Sequence, residues 1–399
     1  MSAMLSLEEA RERLHSLATP LAIETIEVEK AVGRYLASPL LARRTQPAAD
    51  LSAMDGYAVR DDDLAGPWSV IGESAAGHPC SEVVKPGQAV RISTGALMPK
   101  GANAVLLQEN AVRSGQTVTL ANSDGPTPRH IRRAGFDFTE GMELLPRGFR
   151  IDAPQIALAI SAGQQELDVH ALPSLAVLDS GDELIADPSA AALHQIPASN
   201  GAMLAAMAAP FTSSVKRLGP VSDTMPEIIN AFERAGNVDV IVTSGGASVG
   251  DHDLVRPALA EWGAQIDFWK VAMKPGKPLL MARKGQQWII GLPGNPVSSF
   301  VTAYLFLLPL LRRMAGAQFP DPEETTLTLG SSLPATGERA EFVRAYMDRG
   351  CAFPLGSQDS SGLRALSRAQ VLLYRPANSP PAMIDDCVVA FPIQNGGIA

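Results

Sequence analysis

Five short strings of this 399-residue sequence hold side chains whose types and spacing could do chemistry. Asp179-Ser180-Gly181-Asp182-Glu183 gathers three carboxylates, and carboxylates beside an anion-binding loop suit a divalent cation, most often magnesium with oxygen ligands. A helix cap by one of them fits the same residues. Ser244-Gly245-Gly246-Ala247-Ser248-Val249-Gly250 would let backbone amides approach an anion, although an ordinary strand-to-helix loop has the same composition. Lys270 to Pro278 sets Lys270, Lys274 and Lys277 on a chain stiffened by two prolines. That is a cradle for an oxyanion or, equally simply, a solvated charged loop. Gly291-Leu292-Pro293-Gly294-Asn295-Pro296 either shapes a ligand loop or is a plain turn with Asn295 as N-cap and Pro296 at the first helical position.

The fifth string, Ser52-Ala53-Met54-Asp55-Gly56-Tyr57-Ala58, carries an Asp-Gly pair that reads most simply as a hairpin turn. Near it stand Thr94, in Arg91-Ile92-Ser93-Thr94-Gly95, and the stretch from Arg129 to Asp137 with its basic cluster Arg129, Arg132 and Arg133. Those arginines could equally well cover surface. The six histidines include no HxxxH pair, and Cys80, Cys351 and Cys387 are scattered. Zinc catalysis, a CxxC redox pair and a disulfide framework therefore lack support.

These strings need elements to hold them. Ser6 and Glu9 form a capping-box pattern ahead of a short amphipathic helix that Pro20 stops. From Leu40 to about Thr139, segments such as Trp68 to Ile71, Ala89 to Ile92, Ala104 to Gln108 and Thr117 to Leu120 read as strands between turns. Between Leu175 and Met314, apolar strand patterns at Leu175 to Leu178, Val215 to Leu218 and Val238 to Val242 alternate with helical ones at Met203 to Ala209 and Pro226 to Ala235. That alternation predicts βαβ units, a mainly parallel sheet covered by helices, and ligands beyond the carboxyl ends of its strands. After Pro320 the pattern becomes short strands again.

The fold class expected is α/β multidomain. It comprises a central three-layer α/β domain with a mainly parallel sheet (173–318), a small β-rich domain (46–139), a mixed linker domain made of 1–45 with 140–172, and a C-terminal β-barrel-like domain (319–399).

The formal charge is −9, from 33 Lys and Arg against 42 Asp and Glu, which disfavours nucleic acid and anionic membranes as partners. Glu8, Glu9 and Glu12 occupy the start, where a signal peptide would be basic and apolar. Phe300 to Leu311 is too short to span a bilayer, contains Pro309, and reads as a buried helix. A reducing cytoplasm is the expected location.

In their order, Ser-Ala-Met-Asp-Gly-Tyr-Ala, Ser-Gly-Asp-Glu-Leu, Ser-Gly-Gly-Ala-Ser-Val-Gly, Met-Lys-Pro-Gly-Lys-Pro and Gly-Leu-Pro-Gly-Asn-Pro closely resemble the molybdopterin molybdenumtransferase family, called MoeA in bacteria and similar to the E domain of gephyrin. The resemblance runs over essentially the whole chain and implies a MogA/MoaB-like central domain. It also implies an elongated homodimer, with the α/β domain of one subunit facing the small β domain of the other across the active site. The implied reaction joins molybdate to adenylylated molybdopterin with magnesium and releases AMP and molybdenum cofactor.

Position by position, the resemblance makes Asp55, Asp137, Glu183, Asp223, Asp253, Lys270 and Lys274 catalytic, with Glu183 and Asp253 on magnesium. Thr94, Arg132, Ser244, Gly245, Gly246, Ser248, Gly250, Lys277, Pro293, Gly294, Asn295 and Pro296 would bind substrate. The partners implied are small molecules and, transiently, a molybdopterin adenylyltransferase and molybdoenzyme chaperones. Other readings are an adenylyltransferase, which shares the Gly-Gly loop, and a gephyrin-like scaffold.

Overall fold

A computed structural model describes residues 4–245 and 254–393. Its centre is a six-stranded sheet in the order Ser214–Val221, Ser174–Ser180, Val240–Ser244, Gln287–Leu292, Leu280–Lys284, Gln265–Trp269. The first four are mutually parallel, and the last two run as antiparallel neighbours at one edge. The inner strands Ser174–Ser180, Val240–Ser244 and Gln287–Leu292 are apolar and buried because both faces are covered, whereas the edge strand Ser214–Val221 carries the exposed Lys216 and Arg217.

The two-residue period of a strand divides the core in two. Leu175, Val177, Val240, Val242, Ile290 and Leu292 face the helices Asn200–Ala208 and Pro296–Met314. Ala176, Leu178, Ile241 and Ile289 face the helices Met225–Ala235 and Val255–Glu261. This is the expected three-layer arrangement.

Pro296–Met314 is apolar enough over 19 residues to pass for a membrane span, but 89% of its most apolar window is buried in the protein. It is a core helix, as Phe300 to Leu311 predicts. A π turn over Ala303–Leu307 interrupts it directly before Pro309, whose missing N–H would leave the Leu305 carbonyl unpaired in a regular α-helix.

At the start of the chain the capping box forms: Ser6 Oγ accepts from the Glu9 amide at 3.1 Å and Glu9 Oε2 from the Ser6 amide at 2.8 Å. Leu7, Ala10 and Leu14 of the helix Leu7–Leu17 then join the central core. Ile23–Glu27 pairs antiparallel with Glu166–His170, so the chain's beginning packs with the segment that follows the helix Ala153–Ser161.

Two β units flank the centre. The first has the order Ala104–Leu107, Gly56–Val59, Gln88–Ile92, Trp68–Ser74, Thr117–Leu120, Ala111–Ser114. Here the Asp-Gly hairpin expectation is corrected. Leu51–Ser52 pairs with Ile131–Arg132, whereas Gly56 opens a strand lying between Gln88–Ile92 and Ala104–Leu107. The glycine is required by close approach, since a Cβ on it would sit 1.9 Å from the Leu106 carbonyl oxygen.

The second unit closes on itself. Ala340–Asp348, Cys351–Pro354, Thr325–Leu329, Cys387–Pro392 and Val371–Arg375 form a ring of five strands, because the last also pairs with the first. Met273–Lys274 adds a short parallel strand to Ala340–Glu341. A loop of the central domain is thus also part of this barrel-like sheet.

Candidate functional site

Ser180, Ser244 and Leu292 end three adjacent parallel strands. The chain leaves the first toward one edge of the sheet and the second toward the other, so a crevice opens between their carboxyl ends, the usual place for a ligand in such a sheet. A cavity of about 450 Å³ occupies it, lined by residues of all three ligand loops, among them Ser180, Glu183, Gly245, Gly294, Asn295 and Pro296. The cavity thus lies beyond the carboxyl ends of the parallel strands, where the sequence pattern places a ligand.

Asn200 holds the loops in register: its Nδ2 donates to Ser244 Oγ at 2.9 Å and to the Gly294 carbonyl at 2.7 Å. Because a carbonyl can only accept, the Gly294 contact fixes which end of the amide is nitrogen. The sequence reading missed Asn200, whose only local signal is its place at the start of a helix. Asn295 precedes the helix with Pro296 at its first position, and no capping bond from its side chain accompanies it.

Two carboxyls behave differently at this edge. Asp179 is buried, which raises its pKa, while the Arg217 charge and the Gly201 amide oppose the rise. That amide lies in the first turn of Asn200–Ala208, so one acidic residue of the string does cap a helix. Asp223 also titrates above the usual carboxylate range, first because it is partly buried, then because Asp182 and Glu183 crowd it. Its own amide donates to Asp182 Oδ1 at 3.1 Å. Among the described residues no arginine or lysine pairs with Asp182 or Glu183, and no three metal-ligating side chains converge closely enough to hold an ion unaided. Gly246, Ser248, Gly250 and Asp253 lie outside the described residues.

A second cavity, of about 390 Å³, lies between the central domain and the closed β unit, with Lys274, Lys277, Ser298, Arg339, Glu341 and Ser360 in its wall. It shares a partition with the first: the Val297 amide donates to the Ser360 carbonyl at 3.0 Å, and Pro296 and Ser361 face one cavity while Ser298 and Ser360 face the other. The cradle turns at Gly276, whose φ of +105° suits only glycine. Lys274 Nζ donates to Glu341 Oε1 at 3.0 Å.

Lys270 is not part of this wall. It has a left-handed backbone (φ +87°) and its ammonium lies 4.1 Å from the centre of the Trp269 ring. The three lysines of the string therefore do not share one pocket. Arg339, Ser298 and Ser360 were missed by the sequence reading, since they come together through distant contacts, the pairing of Met273–Lys274 with Ala340–Glu341 and the Val297–Ser360 bond.

In the N-terminal β unit, Asp55 Oδ1 accepts from the Thr94 amide at 2.6 Å and from Thr94 Oγ1 at 2.9 Å. Those two bonds hold its carboxyl below the usual range. Arg132 is exposed at the end of the strand Ile131–Arg132, and Asp137 is exposed on the loop after it, tied down by the Ala134 amide to Asp50 Oδ1 at 2.9 Å and the Asp137 amide to the Gln46 carbonyl at 3.0 Å. Asp55 and Thr94 meet, but none of these four lines either cavity.

Comparison with known proteins decides the family. Residues 5–163 match the MoeA N-terminal region (domain I and II), 176–313 a probable molybdopterin binding domain, and 326–383 the MoeA C-terminal region (domain IV). A molybdopterin molybdenumtransferase of Haemophilus influenzae is 35% identical over 349 residues, covering 86% of this chain and 86% of that one. This chain belongs to the molybdopterin molybdenumtransferase family. A Nostoc member is 33% identical over 332 residues, covering 80% of this chain and 76% of its own. The crystal structure of the molybdopterin biosynthesis moeA protein from Pyrococcus horikoshii OT3 superposes with a TM-score of 0.84 at 26% identity, covering 98% of this chain and 100% of that one. The central α/β layers and the closed C-terminal sheet are thus the family's architecture.

Proposed function

We propose that this molybdenumtransferase combines molybdate with adenylylated molybdopterin, releasing AMP and molybdenum cofactor in the last step of cofactor biosynthesis. The observation that carries the reading is the pair of cavities sharing one partition. One, at the sheet's switch point, is large enough for a heterocycle. The other is walled by Lys274, Lys277 and Arg339.

The residues divide the work. Lys274, Lys277 and Arg339 offset the charge of the molybdate dianion, with the Ser298 hydroxyl as a further donor. Ser244, Gly245 and the Pro293–Pro296 loop contact the adenylylated substrate, their spacing set by Asn200. Holding both anions across a single turn of chain supplies proximity. The crowded carboxylates Asp182, Glu183 and Asp223 suit a cation, and we assign magnesium to Glu183 with Asp253. When bound, that ion polarises the phosphoanhydride.

Asp55, Thr94, Arg132 and Asp137 complete the site from a second copy of the chain, since they are exposed and line neither of the two cavities described above. We therefore read the protein as a homodimer of four-domain subunits, divided at 45/46, 139/140, 172/173 and 318/319. It would meet molybdopterin adenylyltransferase and molybdoenzyme chaperones only transiently. Three cysteines without disulfides suit a cytoplasmic protein.

An adenylyltransferase would use the switch-point cavity but has no need of a cationic one built jointly with the barrel, and a scaffold needs neither. Incubating the protein with adenylylated molybdopterin, magnesium and molybdate should release AMP and reconstitute an apo-molybdoenzyme. AMP release without reconstitution would refute the proposal.

A further inference from the structure

The cationic cavity contains a feature that tight anion binding alone would not ask for. Beside its three cations stand two carboxylates, Glu341 and Asp359. Asp359 is occupied within its own loop, accepting from the Ser361 amide at 2.8 Å and Ser361 Oγ at 2.5 Å. Glu341 is not: its carboxylate receives Lys274 Nζ at 3.0 Å. The side chain of Glu341 is 21% exposed against 56% for Lys274, so the anion is the sheltered member of the pair. Their backbones are held side by side, because Lys274 and Glu341 are register partners of one β ladder.

We propose that Glu341 sets the affinity of this cavity by competing with the incoming oxyanion for Lys274. The inference rests on the reading of the cavity as the molybdate site. In the empty cavity the pair keeps the Lys274 ammonium in place, so little side-chain ordering remains to be done on binding. Once a dianion enters, Lys274 is shared between two acceptors, and the unneutralised part of Glu341 repels the ligand. The result is a site that captures an oxyanion yet releases it. Lys274 carries two duties, since removing it both deletes a cation and leaves Glu341 facing the ligand unpaired.

Equilibrium dialysis of molybdate against the purified full chain tests this, with wild type, Glu341→Gln, Lys274→Gln and the double variant. One carboxylate about 6 Å from a dianion in a water-filled cavity is worth on the order of tenfold. Glu341→Gln should therefore bind molybdate roughly tenfold more tightly than wild type, an effect shrinking as KCl is raised. The double variant should bind more tightly than Lys274→Gln. Structural damage would weaken binding, so tightening separates competition from mere support of the fold. Glu341→Ala should move affinity in the same direction and serves if the glutamine variant is unstable. Unchanged or weaker binding by folded Glu341 variants overturns the inference. Failure of wild type to bind molybdate at all overturns instead the reading on which it rests.

Discussion

Gly276→Ala would damage the cationic cradle for a reason that can be sized from the structure. An added Cβ would stand 2.4 Å from Thr302 Cγ2, where ordinary contact begins at 3.4 Å. The two must therefore separate by about 1 Å, an overpacking that costs about 1–3 kcal/mol. Thr302 cannot simply turn away, because it is fully buried and its Oγ1 donates to the Ser298 carbonyl at 2.7 Å. The φ of +105° adds about 1–2 kcal/mol of backbone strain for any residue with a Cβ. The total is about 2–5 kcal/mol, a large share of a typical folding free energy.

Urea unfolding followed by tryptophan fluorescence reads this directly, since Trp262, Trp269 and Trp288 all lie in or beside the central sheet. Gly276→Ala should lower the midpoint and weaken molybdate binding together. Adding Thr302→Ser, which deletes Cγ2 and keeps the hydroxyl, should recover the steric part and leave the backbone part. A Gly276→Ala midpoint equal to wild type would refute the reasoning, and so would a double variant no more stable than the single one.

Asp55→Ala and Glu183→Gln should each leave circular dichroism and self-association unchanged while AMP release is lost; full activity in either would remove that residue from the machinery. Lys274→Gln should raise the KM for molybdate at least tenfold, the factor set by one lost charge pair of about 1.4 kcal/mol, with kcat regained at saturating molybdate. Asp223 has a folded pKa raised above its unfolded value by burial, Asp182 and Glu183, so its ionised form costs stability. That cost should begin to fall as pH drops through the folded value and be gone below the unfolded one, and Asp182→Asn should bring the midpoint down in carboxyl-carbon NMR. A midpoint unmoved by Asp182→Asn would show that crowding is not a cause.

The sheet and its loops were legible in the sequence because their signals are local. Uninterrupted apolar runs end in Gly-rich or acidic strings, and those strings meet because parallel neighbours end at one edge. What stayed hidden depends on distant pairing. Nothing near Arg339 announces that its strand will seat Lys274, and nothing near Asn200 announces the carbonyl at Gly294. Asp55-Gly56 misled for the opposite reason. The pair looks like a turn by composition, but its glycine answers to a carbonyl fifty positions along the chain. Lys270 and Lys274 look equivalent in the string and differ only through a left-handed residue that turns one of them onto Trp269.

The strand Met273–Lys274 makes the sheet and the barrel joint owners of one pocket, with Lys274 on one side and Arg339 and Glu341 on the other. An oxyanion that bridges those cations is therefore also a fastener between two layers, added to the apolar core in which Phe342, Leu372 and Phe391 of the barrel pack with the central helix Pro296–Met314. By mass action its occupancy should raise the unfolding temperature of the subunit, by an increment that grows with the logarithm of concentration. The cohesion of the subunit thus becomes a gauge of how much oxyanion the cell supplies.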